Sequence, residues 1–170
     1  MVRVQVATEL GQFTLEVQED RAPASAGYFL ADVRAGLYDG SSFFRIVTLA
    51  NQQAEESRRI TVIQGGLKHE REDLPSVIPH ETTAMSGLRH LKGTVSLARF
   101  VPGAVYHSFF ICLRDEPVLD FGGARHPDGQ GFAAFGRVLQ GFDVVERIFA
   151  RAETREYLKN EIRIERARIL

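Results

Sequence analysis

The sequence has a single cysteine, no tryptophan and no long apolar run among its 170 residues. One cysteine cannot form an intrachain disulfide, and Cys112 lies within the apolar run 108–113, where a small buried residue is expected rather than a nucleophile. No run approaches the roughly 20 apolar residues that a membrane-spanning helix needs. A signal-peptide pattern is also missing after Met1. We therefore expect a cytoplasmic protein, or a secreted or periplasmic one if a signal peptide was removed.

The sequence also lacks the charge pattern of a nucleic-acid-binding protein and the residue spacing of a phosphate-binding loop or a metal site. The formal net charge is −1 and the basic residues are dispersed, which argues against nucleic acid and membrane surfaces as partners. The pair Gly65-Gly66 lacks the lysine and the helix pattern of a phosphate-binding loop. The histidines show no ligand spacing, so we predict no metal site and no cofactor. They are His69, His80, His90, His107 and His126.

What the sequence does contain is a series of short alternating segments. With 44% hydrophobic and 25% charged residues, it is predicted to form one domain over residues 1–170 that buries roughly 70% of its unfolded surface. Strands are expected at 2–6, 13–17, 42–47, 60–64, 94–98, 108–113, 132–139 and 162–169, and helices between Pro23 and Gly36 and at 141–149. A parity change in the last strand predicts a bulge near Glu165-Arg166. Because strands and helices do not alternate regularly, the prediction is a mainly β fold, a closed eight-stranded antiparallel β-barrel capped by two α-helices.

Two segments lack a periodic pattern. Residues 49–59 are polar and are expected to form an exposed loop. Residues 67–91 are charged and irregular, with Pro75 and Pro79. A segment of that length without secondary structure in a compact domain usually has a function or packs as a compact surface loop.

The strand Ser42–Val47 carries an arginine among apolar neighbours. Strict alternation would place Phe43, Arg45 and Val47 on one face of this strand. A guanidinium in an apolar setting is costly unless its donors find partners. From this strand alone, pairing with a carboxylate or extension to solvent is the favoured interpretation, and a role in a functional site is the alternative.

Three segments in matching order resemble the cyclophilin family of peptidyl-prolyl cis-trans isomerases. They are Tyr38-Asp39-Gly40-Ser41-Ser42-Phe43-Phe44-Arg45-Ile46-Val47, then Val62-Ile63-Gln64-Gly65-Gly66, and then the region from His90 to Gly136 with 93–98, 108–112 and Phe135-Gly136. The helix after Gln140-Gly141 also fits, so the resemblance covers most of residues 2–150. It implies an eight-stranded antiparallel barrel capped by two helices, in agreement with the strand pattern, and a substrate groove on the outer face of the barrel.

The resemblance also implies which residues form the groove. Arg45 would be the catalytic donor, aimed at the prolyl nitrogen, and Gln64 would orient Arg45 or the substrate carbonyl. Phe110 and Leu119 would line an apolar proline pocket. The other substrate-binding positions that it implies are Thr61, Val62, Ala98, Arg99, Phe100, Ser108, Val118 and Phe132.

Several positions depart from the family pattern. About ten extra residues intervene at 49–59, where the family has a short loop. Thr61 and Val62 hold the positions of a phenylalanine and a methionine, Val118 that of an aromatic residue, and Phe132 that of a histidine. The proline pocket is therefore expected to be rebuilt while its principal donor is kept, which would reduce activity or move it to a different X-Pro context.

The function implied is isomerisation of X-Pro bonds in proline-containing peptides or unfolded proteins by a monomer, which would assist folding. A catalytically weak cyclophilin-like module that binds proline-containing segments is the first alternative, and turnover of a proline peptide separates the two. An unrelated small-molecule-binding barrel is the second. A groove on the outer face, combined with an interior filled by side chains, would separate both cyclophilin hypotheses from it.

Overall fold

The computed structural model describes residues 1–68 and 75–170. Two 3₁₀ turns, Glu56–Arg58 and Pro117–Leu119, accompany the regular elements. In chain order these elements are β1 (Val2–Thr8), β2 (Gly11–Val17), α1 (Pro23–Arg34), β3 (Ser42–Val47), β4 (Val62–Gly66), β5 (Ser76–Val77), α2 (Thr83–Ser86), β6 (Thr94–Arg99), β7 (Ala104–Cys112), β8 (Ala134–Gln140), α3 (Phe142–Phe149) and β9 (Tyr157–Ile169).

Eight of the strands close into an antiparallel barrel. Their order around it is β4-β3-β9-β1-β2-β8-β6-β7, and β7 pairs back onto β4. The alternating segments β1 and β2 form a hairpin whose register runs from Val2↔Val17 to Thr8↔Gly11. The two-residue β5 pairs with the start of β7 and takes no part in the closure. The prediction of a closed eight-stranded antiparallel barrel is therefore confirmed.

Phenylalanine side chains fill the inside of the barrel. Phe13, Phe43, Phe109 and Phe135 from the strands and Phe29 from α1 are all buried in one core. The ring of Phe109 packs edge-on against those of Phe29 and Phe43, with centroids 5.4 and 5.8 Å apart. Because side chains occupy the interior, the structure argues against a barrel that holds a small molecule in its lumen.

A bulge at Phe44 determines the direction of Arg45. Phe43 pairs with Gly65 and Arg45 pairs with Gln64, so Phe44 is an extra residue on β3. Phe43 points into the barrel core, whereas Arg45 lies on the outer face beside Gln64. The expectation that Phe43 and Arg45 share a face is wrong, because a bulge inserts one residue and shifts the alternation beyond it.

The bulge predicted near Glu165-Arg166 is confirmed. The β1–β9 register passes from Ala7↔Arg166 to Thr8↔Ile164, which leaves Glu165 as the extra residue. Strand ends are less well predicted, since β7 begins at Ala104 rather than 108 and β9 begins at Tyr157 rather than 162.

The described part of the chain has three α-helices rather than the predicted two. The additional helix, α2, is a single turn capped by Thr82, whose Oγ1 accepts a hydrogen bond from the backbone N–H of Met85 at 3.2 Å. Four residues are too few to show a helical period, which explains why α2 was not predicted within 67–91. His69 and the rest of 69–74 lie outside the described residues. None of the helices in residues 1–68 and 75–170 has the length and apolar character needed to cross a membrane.

The loop at 49–59 is largely exposed, as expected, but Gln52 is buried. The Gln52 amide donates to the carbonyls of Thr48 and Ile60, at 2.6 and 2.8 Å, and accepts from the backbone N–H of Ile60 at 3.2 Å. The expectation of a wholly exposed loop is wrong at this residue, because its amide provides the hydrogen bonds that close the neck of the loop.

Candidate functional site

A cavity of about 200 Å³ lies on the outer face of the barrel, between β3, β4, β6 and β7 and the segment 119–132. Its floor is apolar and its rim carries most of the basic groups. The lining residues are Arg45, Ile60, Val62, Gln64, Ala98, Arg99, Tyr106, Phe110, Leu119, Arg125, His126 and Phe132.

The apolar floor is a small cluster separate from the barrel core. Val62, Phe110 and Leu119 are buried within it, and Phe132 packs against it from the rim. The rings of Phe110 and Phe132 meet edge-on with centroids 5.6 Å apart. Cys112 lies beneath, fully buried, and burial raises the pKa of its thiol well above the usual value. The thiol therefore stays protonated and serves as a packing group, as its sequence context indicated.

Arg45 is held at the edge of this floor by two side chains. Its Nη1 donates to Gln64 Oε1 at 3.1 Å, and its Nη2 donates to Glu156 Oε1 at 2.6 Å. The guanidinium also lies 5.6 Å from the centre of the Tyr157 ring. Its buried Nε finds no hydrogen-bond partner within residues 1–68 and 75–170. A guanidinium has five N–H donors, so some donors of Arg45 form no hydrogen bond within the described residues and remain available beside the cavity.

Gln64 is held in place by hydrogen bonds to two residues of β7. Its Nε2 donates to Ser108 Oγ at 2.9 Å and to the Tyr106 hydroxyl at 3.4 Å, while its Oε1 faces Arg45. The buried side chain therefore cannot turn its amide round without losing bonds on both sides. Ser108, Gln64 and Arg45 form a chain of hydrogen bonds that starts under the sheet and ends at the cavity.

His90 supports the floor from below. Its ring is fully buried and stacks on Phe110, with centroids 6.0 Å apart and an angle of 11° between the rings. Its Nδ1 lies 2.8 Å from Asp120 Oδ1 and its Nε2 lies 3.0 Å from Ser96 Oγ. Burial alone would raise the pKa of Asp120, but hydrogen bonds from the His90 ring and backbone and the charges of His90 and Arg89 outweigh it and lower that pKa. His90 therefore aligns Phe110 and anchors the residue that follows Leu119.

Arg99 lines the cavity but turns its guanidinium under the loop that follows Leu119. Five hydrogen bonds hold it there: two to Asp128, two to the carbonyl of Gly131 and one to the carbonyl of Phe100. The guanidinium also lies 4.7 Å from the centre of the Phe132 ring. Arg99 therefore fixes the loop and the Phe132 ring that closes one side of the cavity.

Of the twelve site residues implied by sequence, eight line the cavity: Arg45, Val62, Gln64, Ala98, Arg99, Phe110, Leu119 and Phe132.

The other four site residues implied by sequence lie next to the cavity. Thr61 is buried and donates its backbone N–H and its hydroxyl to Glu116, and Ser108 lies behind Gln64. The Phe100 ring packs on Tyr106 with centroids 4.8 Å apart, and Val118 packs against the outside of the apolar floor. These four lie beside the lining rather than in it, and their role in substrate binding stays a prediction.

Sequence analysis missed Ile60, Tyr106, Arg125 and His126 in the lining, and Glu156 beside Arg45. Arg125 and His126 occur in a run of turn-forming residues, where no periodicity assigns a direction to a side chain. Glu156 is separated from Arg45 by 111 positions, and only the β3–β9 pairing brings the two together. Within the described residues, no group of three or more histidine, cysteine, aspartate or glutamate side chains is placed to hold a metal ion.

Comparison with family models gives one match that spans residues 2–169, to the family described as Cyclophilin type peptidyl-prolyl cis-trans isomerase/CLD. The chain is 33% identical over 149 residues to the peptidyl-prolyl cis-trans isomerase cyp18 of Streptomyces antibioticus, which covers 87% of this chain and 83% of the relative. It is 26% identical over 156 residues to peptidyl-prolyl cis-trans isomerase B of Escherichia coli K12, which covers 91% and 88%.

A solved structure shares the fold. It is a cyclophilin-type peptidyl-prolyl cis-trans isomerase from Cryptosporidium parvum, crystallised in the presence of the dipeptide Ala-Pro. The TM-score is 0.77 at 19% sequence identity, and the superposition covers 99% of this chain and 98% of the other. At this identity the match establishes the architecture alone, an eight-stranded antiparallel β-barrel.

Proposed function

The chain belongs to the family of cyclophilin-type peptidyl-prolyl cis-trans isomerases, and we propose that its catalytic site is the cavity around Arg45. The observation that carries this proposal is the pairing of an apolar floor with one guanidinium whose donors are only partly used. A proline ring needs an apolar surface, and its amide nitrogen needs a donor. Phe110, Leu119 and Val62 supply the first, and Arg45 supplies the second.

The chemistry follows from amide resonance. Rotation about a peptide C–N bond is opposed by a barrier of about 18–20 kcal/mol, because the nitrogen lone pair is delocalised into the carbonyl. A donor placed at the prolyl nitrogen attracts that lone pair as the bond twists, so it stabilises the twisted state more than either planar isomer. A guanidinium such as that of Arg45 is a cation that presents rigidly oriented donors. This mechanism forms no covalent bond to the protein.

The surrounding side chains preorganise this donor. Gln64 and Glu156 hold the two ends of the guanidinium, and Ser108 holds Gln64. Side chains that are already ordered need no rearrangement as the bond twists, which is the condition under which hydrogen-bond donors are most effective in catalysis.

We further propose that the substrates are exposed X-Pro segments of peptides or unfolded proteins and that the protein acts as a monomer. The cavity is open to solvent at Arg45, whose side chain is 25% exposed. The residues of a single chain are sufficient to form the whole cavity. Light scattering should therefore give the molar mass of a single chain in the fully active sample, and activity that appears only in a dimer would contradict this.

The test is an isomerisation assay on X-Pro peptides that differ in the residue before proline. Removing one preorganised donor typically lowers a rate about 10²- to 10³-fold, so we expect a loss of that size in kcat/KM for Arg45→Ala. The thermal midpoint should change little, because partly exposed ion pairs contribute at most about 1 kcal/mol. Arg151→Ala is the control, since Arg151 is exposed after α3 and lies outside the cavity.

Three outcomes would contradict the proposal. A folded Arg45→Ala protein with full activity would show that the donor is elsewhere. Loss of the folded state in that variant would show that Arg45 is structural. If the unchanged protein binds proline peptides in the cavity without turnover, the alternative of a non-catalytic proline-binding module is correct.

A further inference from the structure

The basic side chains around the cavity are not equally neutralised. Arg45 has Glu156 as an ion-pair partner at 2.6 Å, and Arg99 and His126 share Asp128 at 2.9 and 3.0 Å. Arg125 is the exception. In the part of the chain that the structure describes, no carboxylate lies within ion-pair distance of its guanidinium.

Arg125 is nevertheless held in place. Its Nη1 donates to Gln52 Oε1 at 3.0 Å and to the carbonyl of Arg58 at 3.2 Å. The same Gln52 amide bonds both backbone groups of Ile60, which lines the cavity. The guanidinium is therefore fixed at the Ile60 end of the cavity through neutral oxygens only.

The donors of Arg125 that remain have the geometry of a carboxylate site. With Nη1 engaged, its Nε and Nη2 form a planar pair of N–H groups that matches the two oxygens of a carboxylate. Among residues 1–68 and 75–170, neither nitrogen donates to a protein group within hydrogen-bond distance. Neither is among the buried polar atoms left without a partner, so both are open to solvent or to a ligand.

The electrostatic surroundings also favour an anion. Burial and the positive charge of Arg45 lower the pKa of Arg125, while the carboxylates of Glu156 and Glu116 act in the opposite direction. Those two carboxylates are already bound, Glu156 to Arg45 and Glu116 to Arg114. A half-buried cation next to another cation attracts negatively charged ligands.

We infer that the cavity selects proline segments with an acidic side chain close to the proline, and that Arg125 binds this side chain through Nε and Nη2. The inference rests on the proposal that the cavity around Arg45 is the isomerase site. The ligand class is an acidic peptide, and the specificity comes from the loop at 49–59, because Gln52 and Arg58 of that loop orient the guanidinium.

The experiment compares matched peptides with Glu, Gln or Lys at each position within two residues of the proline. For the unchanged protein, kcat/KM at the best position should be about two- to fivefold higher with Glu than with Gln, the range that an ion pair near a protein surface provides. The Lys peptide should fall below the Gln peptide. The Glu preference should shrink in 0.5 M salt, because salt screens charges that solvent reaches.

Variants identify the residue responsible. In Arg125→Gln the ratio of Glu to Gln turnover should fall to about one, and in Arg125→Glu the Lys peptide should become preferred over the Glu peptide. Arg125→Lys keeps the charge and should keep a ratio above one, which also provides a test if Arg125→Gln does not fold. Arg3→Gln is the matched control, because it removes the same charge from an exposed position on β1, across the barrel from the cavity.

Binding of the same peptides, measured by fluorescence anisotropy, separates this inference from the proposed function. Tighter binding of Glu peptides that disappears in Arg125→Gln supports the inference even if no peptide is turned over. Turnover without any Glu preference overturns the inference and leaves the isomerase proposal standing. A Glu preference that persists in folded Arg125→Gln, or that falls equally in Arg3→Gln, also overturns it.

Discussion

Two arginines on opposite sides of the cavity use their donors differently. Arg99, on the side of β6 and the 119–132 segment, makes five hydrogen bonds and its side chain is 1% exposed. Arg45, on the side of β3 and β9, makes two hydrogen bonds within the described residues and is 25% exposed. Both stand beside an aromatic ring and both have one carboxylate partner.

The difference separates a structural guanidinium from an available one. A guanidinium has five N–H donors, so Arg99 has none left for a ligand and its loss would leave carbonyl oxygens without partners. Arg45 keeps donors beside the apolar floor, and a substrate would add bonds without breaking any. Both residues are arginines on strands that border the cavity, and the number of donors left unused in the structure separates the available guanidinium from the structural one.

The largest effect that tests this comparison is expected in Arg99→Ala. Without the guanidinium, the buried carbonyl of Gly131 loses both of its bonds from Arg99. A buried polar group without a partner destabilises a protein by about 1–3 kcal/mol. We therefore expect the free energy of unfolding in urea to fall by about 2–3 kcal/mol. Arg137→Ala is the matched control, because Arg137 is exposed and has one ion-pair partner, Glu16, at 3.1 Å.

The comparison is wrong if Arg45→Ala loses mainly stability and Arg99→Ala loses mainly activity. Arg99→Ala should lower activity through loss of the folded state and of the position of Phe132, and the part of the loss that comes from unfolding should recover at low temperature. A fully stable Arg99→Ala protein would show that the five bonds of Arg99 contribute little to folding.

Features that depend on one segment of the chain could be predicted from the sequence, whereas features that depend on contacts between distant segments could not. Local alternation predicted the strands, the barrel and the bulge at Glu165, because each depends on the residues of one segment. The bulge at Phe44 gives no such signal, since Phe43 and Phe44 are the same residue type and either could be the one that points into the core. Glu156 and Arg125 were missed because their positions beside the cavity follow from strand pairing and from contacts with the 49–59 loop. The resemblance to cyclophilins identified Arg45, but it could not show which of its donors are free.

A smaller effect is expected from Glu156, the carboxylate that holds Arg45. Glu156→Ala removes the bond at 2.6 Å to Nη2, so the guanidinium gains freedom and kcat/KM should fall about tenfold, the equivalent of one charge-assisted hydrogen bond. Glu156→Gln keeps an acceptor and should recover part of this loss. Thermal midpoints should stay close to that of the unchanged protein in both variants, because the pair is partly exposed. Equal activity in Glu156→Ala and the unchanged protein would show that Gln64 alone positions Arg45.

The smallest effect concerns acid sensitivity on the Arg99 side. Hydrogen bonds from Arg99 lower the pKa of Asp128 below its usual 3.8, helped by the backbone N–H of Gln130 and the charges of Arg99 and His126 and opposed by slight burial. Because the folded-state pKa is the lower one, the folded state binds fewer protons than the unfolded chain between the two values. The contribution of Asp128 to stability is therefore complete above the unfolded pKa and is lost as the pH falls through the folded pKa.

Urea unfolding of the unchanged protein and of Asp128→Asn should give different free energies at neutral pH that converge below about pH 3.8. In an Arg99→Ala background this difference should disappear, because the two residues act as a pair. Convergence between pH 5 and 8 instead would show that protonation of Asp128 is not the cause of the difference.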